Sequence, residues 1–200
     1  QKTRPHVLAV KIVHLTPDDH VVKLRDNMPR VNPNIETFAR IKVVGVGNSG
    51  TNSVNHMVKA KIKGVEFIVI DTDAQKLHYS LAPKKIHIGK NLTRGLGGGM
   101  NPDIGKNAAE ETKEEIKEAL KGADMIFISS GFGGATGTGA SPIVAKVAKD
   151  LGILTIGVVT RPFSFEGIQR SRIADVGLSN FKSSVDAMIS ISNDRILDLV

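Results

Sequence analysis

Two glycine-rich turns, each following an apolar run, constrain this chain more than any other feature. The first is Gly45-Val46-Gly47-Asn48-Ser49-Gly50, after Ile41-Lys42-Val43-Val44. The second is Gly131-Phe132-Gly133-Gly134-Ala135-Thr136-Gly137-Thr138-Gly139, after Met125-Ile126-Phe127-Ile128. Turns of this kind bring backbone N–H groups close to a phosphate, because glycine leaves no Cβ in the way. Each is followed by a helix-like pattern, whose N-terminal amides add a second attraction for anions. Two such turns in one chain point to a single polyphosphate held from two sides.

The rest of the chain supplies the frame for them. Apolar runs at 41–46, 65–70, 85–88, 124–129, 153–159 and 186–191 alternate with longer helical patterns. Val and Ile dominate the runs, as in strands buried on both faces. Alternating strands and helices predict a three-layer α/β fold, a mostly parallel sheet with helices on both faces. Helices are expected over 50–62, 102–121, 137–150 and 168–182, with another beginning near Asn193. The one at 102–121 has Asn101 as its cap, Pro102 at its first position and Gly122 at its end. Ile104, Ala108, Thr112, Ile116 and Leu120 give it an apolar stripe. Glu110, Glu114 and Glu118 each precede a Lys by three residues on the solvated face.

Residues 1–36 differ in character. They hold four of the eight prolines and only scattered apolar residues, so they read as a mobile N-terminal extension. Residues 37–200 read as the nucleotide-binding domain, ending inside an element. The absence of cysteine excludes disulfides and thiolate metal sites. The net charge of +7 is spread over scattered Lys and Arg, with one Tyr and no Trp. That pattern predicts a solvated basic surface and no direct nucleic-acid binding. No run reaches the ~20 apolar residues needed to insert in a membrane, and no signal peptide is visible. A cytoplasmic location is expected.

Read alone, Gly45-x-Gly47-x-x-Gly50 is also the dinucleotide fingerprint, with Asp71 placed as its ribose-binding acid. A tight strand-to-helix turn without a ligand is a further reading. The second turn argues against the dinucleotide, which has no use for it. No Lys precedes Thr51, so an ordinary Walker-type loop is absent.

From about Arg40 to Val200 the chain resembles the nucleotide-binding domain of the FtsZ family, tubulin-like bacterial cell-division GTPases. The resemblance rests on Ile41 to Gly47, Gly64-Val65-Glu66-Phe67-Ile68, Thr72-Asp73-Ala74-Gln75 and Leu92-Thr93-Arg94-Gly95-Leu96-Gly97. It continues through Gly137-Thr138-Gly139-Ala140, Gly157 to Phe163, Phe165-Glu166-Gly167 and Asn193-Asp194-Arg195. It implies binding of GTP or GDP with Mg²⁺ and assigns positions to the task. Gly47, Asn48 and Ser49 would face the α- and β-phosphates, and Asn52 the guanine edge. Asp71 and the loop Gly97, Gly98, Gly99 would lie near the γ-phosphate, the loop sensing nucleotide state. Gly133, Gly134, Ala135, Thr136, Gly137, Thr138 and Gly139 would wrap the phosphates, Thr136 and Thr138 through their hydroxyls. Glu166 and Arg170 would reach the ribose and a phosphate, and Asn193 the base or sugar. No protein residue is singled out as a metal ligand. Gly137→Val is expected to block the phosphates without unfolding the chain.

The resemblance further implies head-to-tail self-association into filaments at the division site and GTP hydrolysis at the subunit contacts. The catalytic acids would come from the neighbouring subunit, from a region expected beyond Val200, and cell-division proteins would bind through C-terminal regions. The fragment alone is expected to be inactive. Four residues depart from the family pattern: Asn48 and Ser49 replace glycine, Ala135 replaces the third glycine of its loop, Asp71 replaces Asn, and Ser192 replaces a proline. Ala135 fits only at negative φ, and Asp71 needs a proton or Mg²⁺ beside a phosphate. They keep open a nucleotide-binding relative without turnover.

Overall fold

The computed structural model describes residues 39–197; the expectations for 1–36 and 198–200 lie outside them. Six strands form one parallel sheet: β1 Ile41–Val46, β2 Val65–Asp71, β3 Lys84–His87, β4 Met125–Gly131, β5 Leu154–Arg161 and β6 Ala187–Ser192. Their order is β3-β2-β1-β4-β5-β6. The helices are α1 Gly47–Lys59, α2 Ala74–Tyr79, α3 Lys90–Thr93, α4 Pro102–Glu111, α5 Lys113–Leu120, α6 Ala135–Asp150, α7 Ile168–Lys182 and α8 Asn193–Leu197.

Strand alternation divides the core into two layers. Val44, Val46, Ile68, Ile70, Ile126 and Ile128 pack with residues of α4, α5, α6 and α7. Val43, Phe67 and Val69 point the other way, with Val54 of α1 and Leu77 of α2. Both faces are therefore covered, which explains unbroken Val/Ile runs where a one-sided sheet would alternate. Lys42 interrupts one run yet is only 8% exposed. Its Nζ donates to the carbonyls of Ala119 and Lys121 at 3.0 and 3.1 Å and pairs with Glu66 at 3.3 Å. The lysine thus closes the C-terminus of α5, where unpaired carbonyls attract a cation.

The expected single helix at 102–121 is two helices. Thr112 breaks it with φ −108° and ψ 19°. A stripe repeating every four residues turns by about 40° per step on an α-helix. A continuous helix would carry Ile116 and Leu120 away from the surface that buries Ala108. The break resets the phase, and Ile116, Ala119 and Leu120 become fully buried. The Thr112 hydroxyl donates to the Ala108 carbonyl at 3.2 Å and accepts from the Gly89 amide at 3.3 Å. Of the three Glu–Lys spacings, Glu118–Lys121 forms an ion pair.

The strand order reverses between β1 and β4. In open parallel sheets the carboxyl edge at such a reversal is where ligands bind. This order is shared with dinucleotide-binding domains, so topology does not separate the two readings raised by the first turn; the site must.

Candidate functional site

A cleft of about 400 Å³ opens at this reversal. Every strand that ends near it contributes the residues just past its carboxyl end. The turn after β1 brings Gly47, Asn48 and Ser49; the end of β2 brings Asp71, Thr72 and Asp73. The turn after β4 brings Gly134, Ala135, Thr136 and Gly137. The segment after β5 brings Pro162, Glu166 and Arg170, and α8 brings Asn193.

Local sequence explains how the first turn is built. A Cβ on Gly45 would lie 2.5 Å from the Gly50 carbonyl oxygen, and one on Gly50 would lie 2.2 Å from that of Ser129. The first glycine permits the tight turn and the third lets α1 pack on β4. Gly47 has φ +71°, a conformation that favours glycine. A Cβ there would come within 3.0 Å of the Gly137 nitrogen. The two glycine turns, distant in sequence, therefore abut at the cleft.

Both helices leaving these turns begin without a side-chain cap, α1 after Val46 and α6 after Gly134. By contrast, Asp73 caps α2 and Asn101 caps α4. Uncapped first-turn amides at a cleft suit an anionic ligand. One of them is used internally: the Ala135 amide donates to the Gly99 carbonyl at 3.0 Å. This contact ties the loop Gly97–Gly99 to the start of α6. Gly97 and Gly99 line the cleft, while a Cβ on Gly98 would strike the Ala135 methyl at 2.7 Å. Ala135 is not among the positive-φ residues, so its replacement of glycine carries no backbone strain.

Five expected site residues do not line the cleft. Asn52 is exposed on α1. Gly98 packs on Ala135 as described. The Gly133 amide is taken by the Thr138 hydroxyl at 2.9 Å. Thr138 thus serves the loop itself, whereas the Thr136 hydroxyl shares a 2.7 Å hydrogen bond with that of Thr72 on the cleft wall. Two residues apart on a helix lie about 200° apart, so both hydroxyls cannot face one ligand. Gly139 is a packing glycine, its Cβ position 1.9 Å from the Pro102 carbonyl oxygen of α4. Gly137 is lining and packing at once: a Cβ would lie 2.2 Å from the Gly131 carbonyl oxygen and 2.7 Å from the Ser130 hydroxyl. The expectation of a folded Gly137→Val variant is therefore replaced by one of destabilisation.

Lys76, Phe132 and Thr160 line the cleft without having been expected there. Thr160 closes β5 at the carboxyl edge, a place the strand pattern could have flagged. Lys76 sits on the short helix α2, which has no periodicity to reveal it. It adds a positive charge to the β2 side of the cleft. Opposite, Arg170 is ion-paired with Glu166, whose Oε1 also accepts from the Phe163 amide at 2.9 Å. These contacts fix the Glu166 carboxylate at the rim.

Asp71 is 3% exposed. Its Oδ1 accepts from the amides of Thr72 and Asp73 at 2.7 and 3.2 Å. Burial pushes its carboxyl above the usual range, against the pull of those two amides and of Lys76, with the neighbouring Asp73 pushing the same way as burial. Among the described residues no group of three or more His, Cys, Asp or Glu is placed to hold a metal ion. A Mg²⁺ ion at such a site would draw part of its octahedral shell from phosphate oxygens and water.

A profile of the tubulin/FtsZ family, GTPase domain, matches residues 40–200. The chain is similar to an empty FtsZ dimer from M. jannaschii at 47% identity and a TM-score of 0.80, covering 81% of this chain and 47% of that one. An FtsZ mutant from M. jannaschii gives 47% identity and a TM-score of 0.81, covering 82% and 49%. CetZ1 from Haloferax volcanii, a GDP-bound monomer, shares the fold at 24% identity and a TM-score of 0.72, covering 78% and 51%. The chain spans about half the length of each of these structures. With the match running unbroken from β1 through α8, the chain belongs to the tubulin/FtsZ family, and residues 40–200 are of its GTPase-domain type.

Proposed function

We propose that the cleft binds GTP and GDP with Mg²⁺, and that the protein hydrolyses GTP at head-to-tail contacts in cytoplasmic filaments of the division site. The observation that carries this reading is the meeting of the two glycine turns, Gly47 against Gly137, at the carboxyl edge of the sheet. A dinucleotide site needs only the first turn; a triphosphate gripped from two sides needs both. Thr136, Arg170 and Lys76 are the polar side chains best placed to join the backbone amides on the phosphates. Glu166 and Asn193, which also line the cleft, are assigned to the ribose and base. Gly133, Thr138 and Gly139 act indirectly, by holding the second turn in shape. Bound Mg²⁺ would neutralise phosphate charge.

Hydrolysis is then phosphoryl transfer to water, in which the protein positions the phosphates and offsets their charge. We assign activation of the water to a neighbouring subunit. Two features favour this. The cleft carboxylates are each held by the chain's own groups, Asp71 and Asp73 through backbone amides and Glu166 in its ion pair. Leu96 on the cleft wall is 86% exposed, and Phe165 and Ile168, which lie on either side of the cleft residue Glu166 in the chain, are 74% and 73% exposed. Large exposed apolar side chains grouped at one site are typical of contact surfaces. A contact between unlike faces repeats without closing and gives filaments.

Ligand identity is tested by thermal unfolding. GTP and GDP should each stabilise the protein by ~2.7 kcal/mol at about a hundred times the dissociation constant, and NAD should leave it unchanged. Stabilisation by NAD in preference to GTP would overturn the assignment. No helix among the described residues is long and apolar enough to cross a membrane.

A further inference from the structure

The cleft holds one buried ionisable group that the phosphate grip does not explain. Asp71 ends β2, and its two carboxylate oxygens have different surroundings. Oδ1 is saturated by the amides of Thr72 and Asp73. Oδ2 is buried and has no hydrogen-bond partner among the described residues. The side chain lines the cleft, next to Thr72, whose hydroxyl bonds that of Thr136 at the first turn of α6. An unpartnered oxygen on the wall of a phosphate site has two uses. Ionised, it can only accept, and beside a phosphate it would meet another acceptor. Protonated, it donates to that acceptor and satisfies both.

Resting on the guanine-nucleotide reading above, we infer that Asp71 holds a proton when nucleotide is bound and donates a hydrogen bond from Oδ2 to a phosphate oxygen. Nucleotide binding then takes up one proton from solvent at this residue. The charges around it agree. Asp73 lies two residues away and repels a second negative charge; Lys76 on α2 favours one. On β3, His87 is opposite Asp71 in register and its Nε2 approaches the Thr72 carbonyl at 3.3 Å, leaving the carboxylate without a cationic partner there. β1 presents Val46, α6 presents Thr136, and the Glu166–Arg170 pair across the cleft is internally neutralised.

The sign follows from linkage. If the bound state holds a proton that the free state releases, affinity falls as pH rises through the free-state value, by at most about tenfold per pH unit for one proton. Asp71→Asn keeps the acceptor at Oδ1 and supplies a permanent N–H donor in place of Oδ2. The test is titration calorimetry of GTP and GDP into the whole chain and its D71N variant. It uses two buffers of unlike ionisation enthalpy, at about pH 6.5 and about pH 8. At the higher pH the original protein should take up close to one proton more than D71N, and its affinity should fall with pH where that of D71N stays level once phosphate titration, common to both, is subtracted. Equal proton uptake in both proteins would overturn this inference and leave the nucleotide site standing. A Mg²⁺ requirement that rises in D71N would identify Asp71 as a metal ligand and overturn it too. Failure of GTP and GDP to bind either protein would overturn the nucleotide reading itself, and this inference with it.

Discussion

Gly134→Val should leave the protein folded and remove its affinity for GTP. Gly134 has φ −109° and ψ −176°, extended backbone that a β-branched residue adopts readily. Its nearest obstacle to a Cβ is the Gly99 carbonyl oxygen at 3.9 Å. The empty fold therefore accepts the side chain. The residue caps α6, and Val caps poorly, so a cost of about 1 kcal/mol is expected, or roughly 2–4 °C of melting temperature for a chain of this size. The added carbons, however, would stand where the amides of the second turn approach a phosphate. Affinity should drop by on the order of a hundredfold or more, ~2.7 kcal/mol. Filament assembly driven by GTP should vanish with it. Binding is read by displacement of a fluorescent GTP analogue, and assembly by sedimentation. Retained GTP affinity in the folded variant would mean that the second turn does not hold the phosphates.

The same substitution three residues later should fail in a different way. At Gly137 the new Cβ would lie within 2.2 Å of the Gly131 carbonyl oxygen, a backbone atom that cannot rotate aside. Relief requires α6 to move off the end of β4, where Ser130 and Gly131 support it. Overpacking of this kind costs about 3 kcal/mol or more, and the melting temperature should fall by roughly 6–12 °C. Loss of nucleotide binding would then be secondary to loss of structure. A Gly137→Val protein with an unchanged melting temperature would show that the contact between the two elements is looser than described. The two variants together separate the glycine that admits a ligand from the glycine that admits a helix.

That distinction marks the boundary of what the chain's letters disclosed. The sheet was legible because burial on both faces leaves long Val/Ile runs: β1 at 41–46 coincides with its expected span, and α7 at 168–182 does too. Helix α2 and helix α3 were not legible. They are six and four residues long, too short to show a period, and α3 is bounded by left-handed Gly89 and Arg94. The break at Thr112 was hidden for another reason. A four-residue repeat looks continuous in sequence, and only its accumulated rotation against a fixed core forces the interruption. At the site, glycine spacing announced both turns, because close approach of backbone to a ligand or to another backbone has few other solutions. The same letters cannot say which of the two is approached. Gly134 faces the cleft, Gly139 faces α4, and Gly137 faces both β4 and the cleft. Asp71 illustrates the remaining gap: its departure from the family's Asn was visible, but the unequal environments of its two oxygens needed coordinates.

The joint grip of the two turns is tested most directly by amide proton–nitrogen correlation spectra of the labelled protein, recorded during titration with GDP. The account predicts that the resonances of Gly47, Asn48 and Ser49 and those of Ala135, Thr136 and Gly137 move together, with one shared dissociation constant. Shifts confined to 47–49, with the resonances of 135–137 unmoved at saturation, would contradict it.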